Sequence, residues 1–154
     1  MEKLNFNITI DAPREKVWEV LWNDQSYREW TTVFGEGSRV ETDWKKGSKV
    51  LFMGSAQDGM LSMINDIRAN EFMSFKHLGM IENGVEDVSS EKVKQWAGAM
   101  ENYTLEDKNG KTELTVDMDI TAEHKEQFQK IFPQALEIVK RLAEKNNVPA
   151  TSNV

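Results

Sequence analysis

The sequence predicts an α+β fold in which a curved, seven-stranded antiparallel sheet wraps around a long C-terminal helix. Three observations point there. An alternating apolar segment opens the chain, and six further strand-like stretches follow, separated by turn dipeptides at the spacing of an antiparallel meander. The last element repeats apolar residues every three or four positions, which marks one face of a helix. A sheet with one apolar face must be covered, and the chain offers a single long amphipathic helix to cover it.

Each element follows from its residues. Leu4, Phe6, Ile8 and Ile10 alternate with Asn5, Asn7 and Thr9, giving the first strand. Asp11-Ala12-Pro13 ends it, and Pro13, an upstream Asp11 able to cap and Glu15 in the first turn start a helix striped by Val17, Trp18, Leu21 and Trp22. Asn23-Asp24 breaks that helix, and a second short one runs through Tyr27 to Trp30. Strands are then expected at Arg39–Trp44, Ser48–Gly54, Met60–Ile67, Phe72–Gly79, Ala99–Leu105 and Thr112–Ile120. The turns between them include Lys46-Gly47, Asp58-Gly59, Ala69-Asn70, Asn83-Gly84 and Asn109-Gly110, the last being the clearest hairpin signal in the chain. Val85–Trp96 reads as a polar interruption with a short helix around Ser90–Gln95. The terminal pattern of Phe128, Ile131, Phe132, Ala135, Leu136, Val139, Leu142 and Ala143 contains Pro133, which removes a backbone donor and clashes with the carbonyl of Gln129. The expectation is a short helix from Ala122, a break, and the main helix from Pro133 to Lys145.

The 154 residues fit one domain, expected over 1–147, with 148–154 as a frayed tail. Nineteen basic and 26 acidic residues give a net charge of −7, and between Glu82 and Asp119 ten acidic residues face four lysines. Nucleic-acid binding depends on clustered Lys and Arg, so this balance argues against a nucleic-acid partner. An anionic membrane surface is disfavoured for the same reason, and no apolar run is long enough for membrane insertion. There is no cysteine, hence no disulfide, thiolate metal site or cysteine nucleophile, and the opening MEKLNFNITI lacks a secretory leader pattern. A cytoplasmic protein is the expectation.

One helix fills the concavity of a bent sheet incompletely, so a cavity between helix and sheet is expected. Eight methionines, seven phenylalanines and five tryptophans supply bulky, adaptable walls for it.

The opening ITIDAPREKVWEVLWND with YREWT resembles the start of START-like (SRPBCC) domains. Within them it is similar to the branch of the activator of the ninety-kilodalton heat-shock chaperone ATPase, as are FKHLGMIENGVED, WAGAMENYTLED and the tail FPQALEIVKRLAEK. The resemblance spans residues 2–146 and implies a helix-grip fold with an apolar cavity between sheet and C-terminal helix. Eukaryotic activators carry an additional N-terminal domain, for which 154 residues leave no room.

His77 is the polar candidate of most interest. Alternation sets Met73, Phe75 and His77 on one face, where an imidazole serves either to fix a strand end or to anchor a polar ligand head and move a proton. Glu82, Glu86 and Asp87 follow it and are candidates to orient the ring, unless they are plain solvated surface. Tyr103 offers a hydroxyl from a neighbouring strand. The walls expected for the cavity are Trp30, Phe34, Met63, Phe75, His77, Tyr103, Phe132, Leu136 and Val139, with Pro133 loosening one end of the helix for entry.

The sequence has no G-x-S-x-G, P-loop or H-E-x-x-H motif, and its two histidines, His77 and His124, do not make a histidine-rich metal site. No catalytic residue, metal or cofactor is expected. The reading is therefore a module binding a small hydrophobic or amphipathic molecule. Its alternatives are a protein-interaction module resembling a chaperone ATPase activator, and a cyclase- or hydrolase-type enzyme using His77.

Overall fold

A computed structural model describes residues 1–145. The expected tail over 148–154 lies outside the described residues. The order is β1 (Glu2–Ile10), α1 (Arg14–Trp22), α2 (Asp24–Trp30), a 3-10 turn (Thr31–Phe34), β2 (Arg39–Glu41), β3 (Lys49–Met53), β4 (Gly59–Arg68), β5 (Phe72–Glu82), β6 (Val85–Asp87), α3 (Glu91–Lys94), β7 (Met100–Lys108), β8 (Lys111–Ile120) and α4 (Ala122–Lys145). The strands form one antiparallel sheet in the order β1-β8-β7-β5-β4-β3-β2. One face holds α4 and α1 in a core of Ile10, Val17, Leu21, Phe75, Tyr103, Leu114, Leu136 and Val139.

Three expectations change. The sheet has an eighth strand, because β6 turns back on β5. Asn83 and Gly84 hold φ of 51° and 78°, the paired left-handed values of a two-residue hairpin turn, and Asn109-Gly110 repeats them at 58° and 90°. The strand expected over Arg39–Trp44 stops at Glu41. Trp44 sits at φ 61°, which no extended strand holds, and lays its ring against Trp22 at 5.7 Å. Pro13 is the N-cap residue of α1, and the backbone N–H of Asp11 before it donates to Glu144 of α4 at 2.8 Å.

Finally, α4 runs unbroken through Pro133. Both Pro133 and Gln129 are exposed, so water can satisfy the carbonyl that lost its donor, and the buried stripe continues undisturbed on the other side.

β5 carries a bulge that matters for the site. Leu61 pairs with Gly79 but Ser62 pairs with His77, leaving Leu78 as the extra residue. Before it, Met73, Phe75 and His77 face the core; beyond it Met80 takes over that side. Leu78 and Ile81 instead join Leu51, Met53 and Leu61 in a separate apolar cluster.

Candidate functional site

Three neighbouring strands place four polar side chains in a row. Ser62 of β4 lies directly across from His77 of β5, and their Oγ and Nδ1 are 2.7 Å apart. Glu101 of β7 pairs with Phe75, so its carboxylate reaches diagonally to His77 Nε2 at 3.1 Å. Tyr103, two residues on and therefore on the same face, donates its hydroxyl to the other Glu101 oxygen at 2.5 Å. His77 is 7% exposed and Tyr103 2%, so this chain is embedded in the core.

The protons follow from donor and acceptor rules. Burial is the largest influence on Glu101 and opposes its ionisation, but the bond and charge of His77 and the Tyr103 hydroxyl together outweigh it, holding the carboxyl below its usual value. Burial first, then the Glu101 charge and hydrogen bond, push the Tyr103 hydroxyl well above its usual value, so it stays a donor. An ionised carboxylate only accepts; His77 Nε2 must therefore carry the hydrogen it shares with Glu101. Ser62 is fully buried and lines neither lobe of the hollow that the row borders, so a substrate carbonyl held there has no route to its hydroxyl and the row is no nucleophilic triad.

The row borders a hollow with two lobes. The inner lobe, about 200 Å³, is walled by Trp22, Tyr27, Trp30, Phe34, Phe75, Tyr103 and Phe132. The outer lobe, about 520 Å³, reaches Met80, Lys92, Trp96, Met118, Asp119, Thr121 and His124. Both lobes touch Phe52, Met60, His77, Glu101 and Phe128, so imidazole and carboxylate stand where the two meet.

Of the expected walls, Trp30, Phe34, Phe75, His77, Tyr103 and Phe132 line the inner lobe. Met63, Leu136 and Val139 line neither lobe. Met63 lies between Ser62 and Ile64, both fully buried on the core side, so alternation turns it to the opposite face beside Lys49 and Lys76. Leu136 and Val139 are core residues with 2% and 0% exposure, packed where the helix meets the sheet without a gap.

The carboxylates expected beside His77 do not orient it. Glu86 pairs with Lys49 at 2.9 Å, Asp87 accepts from the backbone of Ser89 and Ser90, and Glu82 is exposed at the strand end. Glu101 takes that role. Its signal was parity: on β7 it shares a face with Tyr103 and Leu105, an acid where an apolar residue is due. Among the described residues no group of three or more His, Asp or Glu side chains is placed to hold a metal ion. Nor is any helix long and apolar enough to cross a membrane.

The antiparallel sheet with α4 across one face is an arrangement seen in known proteins. The family model described as activator of Hsp90 ATPase homolog 1-like protein matches residues 11–144. The chain belongs to this AHSA1 family. No curated protein matches it. Solved structures do, at identities that speak for the fold alone. DynU16, a protein in the dynemicin biosynthetic locus, superposes with a TM-score of 0.70 at 14% identity over 95% of this chain; the match spans 48% of DynU16 itself. Protein MLL2253 of Mesorhizobium loti matches with 0.71 at 13% identity, covering 94% of this chain and 98% of its own. The Aha1 dimer of Colwellia psychrerythraea, solved in solution, matches with 0.66 at 17% identity, covering 93% and 97%. The AHSA1-like fold is thus a helix-grip with an antiparallel sheet and a long C-terminal helix.

Proposed function

We propose that this AHSA1-like protein holds a small amphipathic molecule in the cytosol, its apolar body in the two lobes and its polar group against Glu101, His77 and Tyr103. The observation that carries the reading is the junction of the lobes, where a buried, hydrogen-bonded polar row stands beside the apolar side chains of Phe52, Met60 and Phe128. Ligand sites combine apolar walls with a few placed polar groups in this manner. Affinity would come from apolar burial at about 25 cal/mol per Å², with the row setting orientation.

Native mass spectrometry of gently purified protein, together with titration by an apolar fluorophore, tests it. A co-purifying small molecule displaced by the fluorophore is the expected result. Protein that is uniformly empty and takes up no fluorophore would sink the reading.

Membership of the family named for the chaperone ATPase activator supports a second reading, a protein-interaction module acting on a chaperone. Capture of the chaperone and a change in its ATPase rate are the outcomes that reading requires.

A further inference from the structure

We infer that the inner lobe takes a single aromatic ring bearing a hydroxyl group, held by Glu101, and turns away rings bearing a carboxylate. The inference rests on the cavity reading above and narrows it to a ligand class. Size sets the first limit: an apolar cavity of roughly 150 Å³ holds benzene, and the inner lobe offers about 200 Å³. Its walls are the faces and edges of Trp22, Tyr27, Trp30, Phe75 and Phe132, which suit a flat ring.

Hydrogen-bond capacity sets the second limit. Glu101 receives one bond on each oxygen, from His77 and Tyr103, and a carboxylate accepts about four, so it faces the hollow with unused acceptors and nothing to donate. Among the described residues it has no lysine or arginine partner. A group arriving there must donate, and a second carboxylate would bring two like charges together in an apolar site. A hydroxyl donates without carrying a charge; an ammonium would add the cost of taking a full charge out of water into an aromatic lobe. The holding of Glu101 in its ionised form agrees with this assignment. Substituents on the ring would extend past Phe52 and Phe128 into the larger outer lobe.

The test compares 4-butylphenol, butylbenzene and 4-butylbenzoate by isothermal titration calorimetry on the wild-type chain near pH 7. The phenol should bind about tenfold more tightly than butylbenzene, the scale of one hydrogen bond to a charged group, and the benzoate more weakly than either. In Glu101→Gln the advantage of the phenol should shrink and the benzoate should gain. Should that variant fail to fold, the wild-type series decides alone. Butylbenzene binding as well as the phenol, or the benzoate binding best, overturns the ligand class and leaves the cavity reading standing. Binding of none of the three removes both.

Discussion

The two halves of α4 do different work. Beyond Phe132, which walls the inner lobe, Ala135, Leu136, Val139 and Ala143 are all buried, and the helix packs against the sheet and α1. Before Phe132 no residue of the helix is buried; Phe128 and Ile131 are half-covered, and Phe128 borders the hollow. A helix of constant diameter thus fills one end of the curved sheet and leaves the other open, because its large apolar side chains are concentrated in one half. The expectation that a lone helix leaves room was right about the shortage. It did not say which end would carry it, and so it assigned Leu136 and Val139 to the wrong half.

That contrast can be broken. Leu136→Ala removes packing from the sealed half and should lower stability by about 2–5 kcal/mol in chemical denaturation, with little change in ligand binding. A loss below about 1 kcal/mol would mean that this half is as loose as the other. Pro133 sits at the border on the exposed side, so Pro133→Ala restores a helical hydrogen bond without touching the core. It should raise stability by up to about 3 kcal/mol, and a fall would show that the proline shapes the hollow.

Glu101→Gln sharpens the comparison from the polar side. The amide oxygen can accept from His77 Nε2–H while the amide nitrogen donates to the Tyr103 oxygen, so two charge-assisted bonds become neutral ones, at a cost of about 1–2 kcal/mol near neutral pH. The sign with pH is fixed. Glu101 is lowered on folding from an ordinary value of 4.5, so its contribution is full above that value and disappears as pH falls through the lower folded one. Denaturation curves of wild type and variant should converge over that acid range; parallel curves would mean that folding leaves the Glu101 carboxyl at its ordinary value. The smallest effect belongs to Phe128→Ala in the open half, about 1 kcal/mol or less, since the ring is only half-covered and its loss enlarges space already present. A cost as large as that of Leu136→Ala would erase the distinction between the halves.

Much of the fold was legible because its signals are local. Alternation in Leu4–Ile10, the Asn-Gly turns and the helical stripe of α4 each depend on a few consecutive residues. β6 was missed since Val85, Glu86 and Asp87 bury no side chain fully and so leave no alternating pattern; only the hairpin turn before them announces it. Pro133 misled because the rule against proline within a helix concerns the backbone donor, while the outcome depended on which side faced water. Glu101 was counted among the acidic residues of a charged stretch, where sign was read and parity was not. Its closeness to His77 arises from the pairing of β5 with β7, two strands separated by the β6–α3 excursion, and no local pattern reveals that register.

The extra residue at Leu78 has a last consequence. Because one unit of slack sits between His77 and Met80, the tip of β5 is geared separately from the stretch that carries the imidazole. Substitutions at Met80 and beyond can remodel the mouth of the hollow while the interior keeps its aim. Deleting Leu78 would remove that slack and couple the two again, with Met80 still facing the hollow and Ile81 still on the opposite face. A lineage, or an engineer, wishing to admit a longer guest has a site for doing so that leaves the anchoring end alone.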